Sequence, residues 1–222
     1  LFLDMVDRPE WLHRCLQRMT DAWIARSRSV EAQDALTLNN ETHYVGSGGV
    51  AFTDELPREG FDGEHVRLMD QWGFATTQIF SEVSPAMHEE FALRYERQFL
   101  EMFGLNAYGC CEPLHRKMDD VRKIPRLRRI SMSPWVDMPA AAAELGGDYI
   151  FSRKPNPADL AAVTFHEDAI RQGIRADLEA TRGCVVELIM KDTHTVNNDP
   201  RRLADWVRIA REEAERFADS GR

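Results

Sequence analysis

The chain has 222 residues, of which 43% are hydrophobic and 29% are charged, so it can fold around a core of ordinary size. Its formal net charge of −9 repels phosphate backbones, which argues against a nucleic-acid partner. Apolar runs stay well short of the roughly 20 residues that cross a bilayer, so we expect no association with a membrane.

The first predicted element is a helix from Trp11 to about Ser29, in which apolar residues recur at helical spacing. Asp7 is the predicted N-cap, and Pro9 follows in the first turn. Apolar residues precede this cap and the chain does not begin with Met, so we expect it to start within a longer protein.

A short strand is predicted at 35–38, and a glycine-rich stretch follows at 45–50. This stretch lacks the spacing of a phosphate-binding loop, so it predicts a backbone bend near the site. After a long irregular region, Ser84 and Pro85 begin a predicted helix that runs to about residue 103.

From residue 105 onward, strands and helices alternate in four successive βα units, which is typical of a parallel sheet covered by helices. The predicted strands are 105–111, 129–133, 148–153 and 184–191, and the predicted helices are 113–124, 138–145, 158–181 and 200–217.

The predicted fold class is therefore α/β, and both a doubly wound open sheet and a barrel fit the pattern. We favour a TIM-type (β/α)8 barrel that lacks its first strands, because five predicted strands are too few for a closed barrel. Residues 1–222 then form a single domain, the carboxyl-terminal portion of the barrel.

Polar and reactive side chains recur at the carboxyl ends of the predicted strands, where such folds carry their sites. These side chains are Tyr108, Cys110 and Glu112 after one strand, Trp135 after the next, Lys154 and Asn156 after the third, and Lys191, Asp192 and His194 after the last.

Strand parity favours Cys110 as the functional thiol. It shares a face with residues 106 and 108 that should point into the barrel, whereas Cys111 should pack under a helix. Cys15 and Cys184 are expected to be small buried hydrophobes. The four cysteines lack a disulfide pattern, which indicates reduced thiols and a cytoplasmic location.

Cys110 is also a candidate zinc ligand, because a catalytic zinc site needs three protein ligands and an open fourth position. His194, Asp192, Glu112 and His115 are the residues that could join it, although the chain has no CxxC or HExxH spacing.

Three runs of the sequence, YGCCEPLHRKMDD, LGGDYIFSRKPNP and TRGCVVELIMKDTH, resemble the uroporphyrinogen decarboxylase-like superfamily. That superfamily holds uroporphyrinogen decarboxylases and zinc-dependent methyltransferases that act with corrinoid proteins and thiols. The segment GSGGVAFTDELP is similar to further bacterial members. The resemblance covers nearly the whole chain and implies a TIM barrel.

The two halves of the predicted site resemble different members of the superfamily. Residues 108–110 match the H-x-C pair of the methyltransferases at Cys110 only. His194 falls where the decarboxylases carry the His of an N-L-G-H-G-like turn, again without the surrounding glycines.

The resemblance favours a metal-assisted methyltransferase. Zinc held by Cys110, Asp192 and His194 would activate a thiol toward a methyl group from a corrinoid protein or a methylated small molecule. Glu112 is a further acidic candidate, and Tyr108 would orient the small-molecule substrate.

The alternative is a decarboxylase of uroporphyrinogen or another polycarboxylate, in which Arg153, Lys154 and Lys191 would bind carboxylates and His194 would move a proton. A non-catalytic barrel that binds a corrinoid or another ligand is the third reading. In each reading the predicted cofactor-binding residues are Lys154, Asn156 and Trp135. A barrel without its first strands exposes apolar edges, which favours a homodimer.

Overall fold

The structure is a computed structural model that describes residues 1–220, and within them the chain is an α/β fold with a five-stranded parallel sheet and a separate two-stranded hairpin. The strands are β1 (Tyr44–Val45), β2 (Gly49–Val50), β3 (Trp72–Ala75), β4 (Leu105–Tyr108), β5 (Leu127–Met132), β6 (Ile150–Arg153) and β7 (Val185–Leu188).

The α-helices of the described residues are α1 (Phe2–Asp7), α2 (Pro9–Ala32), α3 (Pro85–His88), α4 (Arg94–Leu100), α5 (Met118–Val121), α6 (Met138–Leu145), α7 (Ala158–Ala161), α8 (Glu167–Ala180) and α9 (Arg201–Ser220). A π-helical turn at Glu89–Leu93 joins α3 to α4, and short 3-10 helices lie at Leu68–Asp70, Gln78–Phe80 and Leu114–Arg116. Among residues 1–220, no helix combines the length and the apolar character that a bilayer-spanning helix requires.

The parallel sheet has the order β3-β4-β5-β6-β7, so each strand pairs with the next one along the chain. Four of the five strands, β4 to β7, confirm the βα rhythm that the sequence predicts. Because the strands are parallel, their carboxyl ends lie along one edge of the sheet, which brings the segments after Tyr108, Met132, Arg153 and Leu188 together.

The predicted first strand is wrong. Residues 35–38 have no strand conformation, and β3 takes the first place in the sheet. The earlier segment does lie beside β3, but side-chain amides join the two: Asn39 exchanges hydrogen bonds of 2.9 and 3.1 Å with the backbone of Trp72. These bonds join a side chain to the backbone of one residue and are not the repeated backbone–backbone hydrogen bonds of a sheet, so residues 35–38 do not form a strand.

The sheet has two unlike faces. One contacts the hairpin β1–β2 and is called the hairpin face; there Leu105 and Ala107 pack in one cluster with Val45. The opposite helix face packs against α5 and α6, and Tyr108 and Ile130 belong to its cluster.

The parity predicted for β4 is therefore wrong for Tyr108, which points into the helix layer. Its hydroxyl donates to Glu96 Oε2 at 2.7 Å and lies 2.9 Å from His88 Nε2. Asn106 likewise donates to the backbone oxygens of Leu100 and Pro125. The Tyr108 hydroxyl and the Asn106 side-chain nitrogen thus find partners in the helix layer, whereas Asn106 Oδ1 is buried without one among the described residues.

Helix boundaries also differ in part from the prediction. The first long helix begins after Arg8, and Asp7 makes no side-chain cap, because residues 2–7 are already helical. Ser84 does cap α3 by accepting from the Met87 amide. The predicted helix 113–124 is two short turns, and 158–181 is broken between α7 and α8 where Ala162 is extended.

Candidate active site at the carboxyl ends of β4 and β7

The backbone turn after β4 places Cys110 at the site. Gly109 has a φ of +88°, and a Cβ there would lie 2.5 Å from Leu114 Cδ1, so this turn requires glycine. At this turn the side chains no longer alternate between the two sheet faces as they do along β4, so the Cys110 side chain can contact the hairpin. The Ser131 hydroxyl fixes it by donating to the Cys110 carbonyl at 2.7 Å.

Glu112 holds the Cys110 backbone from the other side. This buried carboxylate accepts the Cys110 amide at 2.8 Å on Oε2 and the Thr76 hydroxyl at 3.0 Å on Oε1. Both of its oxygens are thus engaged in positioning the turn. The sequence predicted Glu112 as a functional carboxylate, and the geometry makes it a positioning residue for Cys110.

Lys191 is the closest partner of the Cys110 thiol. Its Nζ lies 2.5 Å from Cys110 Sγ and 3.2 Å from Cys111 Sγ. Burial alone would lower the pKa of Lys191, but hydrogen bonds to the two sulfurs outweigh it and raise that pKa above its usual value. Lys191 is therefore an ammonium, and cationic neighbours of this kind stabilise thiolates.

Cys111 has the opposite surroundings. Its thiol donates to Asp192 Oδ2 at 2.7 Å, and its sulfur lies 3.5 Å from Cys110 Sγ. Burial, followed by the hydrogen bond to Asp192, raises the pKa of Cys111 to about 12. The same hydrogen bond from Cys111 is the main cause that lowers the pKa of Asp192. Cys111 thus keeps its proton. The Lys191 ammonium is the closest partner of Cys110, whereas the closest partner of Cys111 is Asp192.

The glycine-rich hairpin forms the roof of the site, as the bend predicted at 45–50 implies. The Ser47 hydroxyl at its tip donates to Cys110 Sγ at 3.2 Å and is buried. Gly49 lies directly on the Arg129 guanidinium, where a Cβ would approach Cζ to 2.6 Å. The hairpin can lie this close to the sheet only because glycine occupies that position.

Lys154 is a second cation on the hairpin face. Its side chain is buried, and Nζ donates to Ser152 Oγ at 2.5 Å. Burial lowers the pKa of Lys154 to about 8, although the Glu187 charge opposes that shift. The carboxylate of Glu187 itself pairs with Arg129 at 2.8 Å. Within residues 1–220, Lys154 is therefore a cation that has no carboxylate in hydrogen-bond contact.

Within residues 1–220, several predicted site residues make no hydrogen bond with the two thiols. Trp135 is 70% exposed, and His194 and Asn156 are also exposed. Asn156 Oδ1 accepts the Ala158 amide at the start of α7, which gives this residue a structural role. Arg153 points to the helix face, where it pairs with Asp177 at 2.7 Å.

The predicted zinc ligands are not brought to one point. The ammonium of Lys191 lies against Cys110 Sγ where a cation on that thiolate would sit, and Asp192 contacts Cys111 instead. Among residues 1–220, no group of three His, Cys, Asp or Glu side chains is arranged to hold a metal ion. This arrangement does not fit zinc on Cys110, Asp192 and His194.

The sequence did not reveal the pairing of Lys191 with Cys110, nor the contact from Ser47. Lys191 was visible as a cation at a strand end, but only the parallel sheet brings it into contact with Cys110, 81 positions earlier in the chain. In comparisons with known proteins, no family model matches the chain, and no curated protein matches it.

Proposed function

We propose that this chain is the carboxyl-terminal part of a TIM-barrel enzyme of the uroporphyrinogen decarboxylase-like superfamily that transfers a methyl group to the sulfur of a small thiol. The single observation that carries the proposal is the ion-pair geometry of Cys110 and Lys191, with Nζ at 2.5 Å from Sγ. The methyl donor is a corrinoid protein or a methylated small molecule.

The barrel part of the proposal is supported by the strand order. A doubly wound sheet reverses its order at a switch point, whereas this sheet runs straight from β3 to β7 with parallel neighbours throughout the described residues. Consecutive parallel strands are what a segment of a (β/α)8 barrel contains. The cluster around Cys110 lies at the carboxyl ends of the strands, where barrel enzymes carry their active sites.

The chemistry we propose uses the contact between the Lys191 ammonium and Cys110 Sγ, with Cys110 reacting as its thiolate. The thiolate of Cys110 takes the proton of the incoming thiol, and the Lys191 ammonium then stabilises the new thiolate. That sulfur attacks the methyl carbon; a sulfur–carbon bond forms, the donor–carbon bond breaks, and the electron pair leaves with the donor. Cys110 finally releases its proton to the leaving group or to water.

Anaerobic incubation with methylcobalamin and mercaptoethanol tests the proposal. The donor's loss of its methyl group is followed by absorbance and the methyl thioether by mass spectrometry. We expect Cys110→Ser and Lys191→Met each to lower the rate by about 100-fold, in the range of general acid–base catalysis. The matched control is Cys15→Ser, on α2 away from the site. Equal rates in wild type and Cys110→Ser would rule the mechanism out.

Decarboxylation of a polycarboxylate is the second candidate, and Lys154 is the observation that favours it. Its buried ammonium donates to a hydroxyl, so it could take a substrate carboxylate as partner without breaking an ion pair. Release of carbon dioxide from uroporphyrinogen, lost in Lys154→Met, would favour this activity over methyl transfer.

A further inference from the structure

A cavity of about 530 Å³ lies beside β3, between that strand and helices α2 and α4. This volume is within the range of pockets that hold small molecules. Its wall is mostly apolar and rich in aromatic side chains, which are Trp23, Phe74, Phe80, Phe91, Tyr95 and Phe99. Cys110, Cys111 and Lys191 do not line this wall, but Thr76, which donates to Glu112, does, so the cavity lies next to the candidate active site.

One carboxyl group, that of Glu96, lies in the wall, and a polar network holds it in place. Oε1 accepts the Thr77 hydroxyl at 2.6 Å, and Oε2 accepts the Tyr108 hydroxyl at 2.7 Å. Because Tyr108 donates to Glu96, its oxygen must accept from His88, so His88 carries its proton on Nε2. Tyr108 and His88 are both buried, which makes the carboxyl a fixed part of the cavity.

Within residues 1–220, no cationic side chain lies in hydrogen-bond contact with the Glu96 carboxyl. Burial raises the pKa of this carboxyl, against the two hydrogen bonds from Thr77 and Tyr108 that favour its ionised form. Arg97, next in sequence, forms its ion pair with Glu89 instead. A carboxylate among apolar walls is unfavourable until a cation joins it. The cavity thus offers a buried carboxyl group and space, and the described residues supply no counter-ion in hydrogen-bond contact with that group. Burial favours the neutral form of Glu96, and a cation placed beside it would favour the carboxylate.

We propose that this cavity binds a small apolar molecule that carries a protonated amine, with Glu96 as the counter-ion of the amine. The aromatic walls contact the apolar body of the ligand, and aromatic faces also attract cations. A ligand ammonium can use the remaining lone pairs of both carboxylate oxygens, since Thr77 and Tyr108 take one on each. The inference does not depend on methyl transfer at Cys110.

Calorimetry with two probes of the same size tests the proposal: 2-phenylethylamine, which is cationic, and 2-phenylethanol, which is neutral. We expect the wild-type chain to bind the amine at least about tenfold more tightly, as for a charge-assisted hydrogen bond. Glu96→Gln should remove this preference and leave the affinity for the alcohol unchanged. Glu90→Gln, at an exposed position on the same helical segment, should keep the preference.

Three results would overturn the proposal: equal affinity of the wild-type chain for both probes, absence of binding for both, or a preference that survives in Glu96→Gln. The first two need no variant, so a folding defect of Glu96→Gln cannot hide them. Ala92→Leu provides the test of location, because Ala92 is a buried wall residue and the larger side chain narrows the cavity. Binding of both probes should weaken in that variant, and unchanged binding would place the probes elsewhere.

Discussion

Replacement of Lys154 by Met tests the electrostatics of the hairpin face. Lys154 is 2% exposed, and its ammonium donates to the neutral Ser152 hydroxyl. Burial lowers its pKa to about 8 from an ordinary value of 10.5. Below pH 8 the folded and unfolded chains both carry the charge, so the folded state bears the whole desolvation penalty. Between pH 8 and 10.5 only the unfolded chain keeps the proton, so wild-type stability rises with pH.

The lowered pKa corresponds to a penalty of about 3 kcal/mol at pH 7, which falls to about 1 kcal/mol at pH 10. Lys154→Met removes this penalty at both pH values. It also leaves the Ser152 hydroxyl without its partner, which costs roughly 1 kcal/mol at either pH. We therefore expect the variant to be more stable than wild type by about 2 kcal/mol at pH 7 and equal to it at pH 10.

Urea unfolding followed by circular dichroism, at both pH values and under reducing conditions, measures the difference. Lys123→Met is the control, because Lys123 is 58% exposed and its hydrogen bond to Asp120 raises its pKa instead of lowering it. A wild-type stability that exceeds that of Lys154→Met at pH 7, or a difference that does not change with pH, would refute the reasoning. Lys154 would then be stabilised by a charge partner when folded.

Two further predictions concern the turn and the metal. Gly109→Ala should destabilise the fold by about 2 kcal/mol or more in urea unfolding, because it adds strain at a positive φ and a clash with Leu114. The control is Gly173→Ala, which lies in α8 with open space around it and should leave the stability unchanged or raise it. Equal effects of the two substitutions would contradict the role of the turn. Elemental analysis of anaerobically purified protein should find well below one zinc per chain, whereas stoichiometric zinc that disappears in Cys110→Ser would show that a metal displaces Lys191.

The sequence predicted the regular half of the fold well. Strands β4 to β7 follow from apolar runs that alternate with amphipathic helices, and Met138–Leu145 was predicted to the residue. The strand β3 was missed because its four residues lie in a glycine- and proline-containing region without periodicity. The segment 35–38 looked like a strand because it is apolar, yet only tertiary contacts decide which of the two segments pairs with β4.

The sequence singled out Cys110 and Lys191 at the ends of two predicted strands, and the structure brings these two side chains into contact. Cys110 was selected by a parity argument that the structure inverts for Tyr108, and it reaches the site only because Gly109 turns the chain. Contacts such as that of Lys191 with Cys110 depend on side-chain reach across neighbouring elements. A single sequence does not encode such contacts in any local spacing, and the same holds for the buried network at Glu96.

Alkylation of the native, reduced chain by iodoacetamide tests the pairing of Lys191 with Cys110 most directly, with peptide mass spectrometry reporting the rate at each cysteine. Only thiolates react, so we expect Cys110 to be alkylated well before Cys111, whose burial and bond to Asp192 keep it protonated. Lys191→Met should slow the reaction at Cys110 by about tenfold or more and leave the rate at Cys15 unchanged. Faster labelling of Cys111, or a Cys110 rate that does not depend on Lys191, would contradict the account.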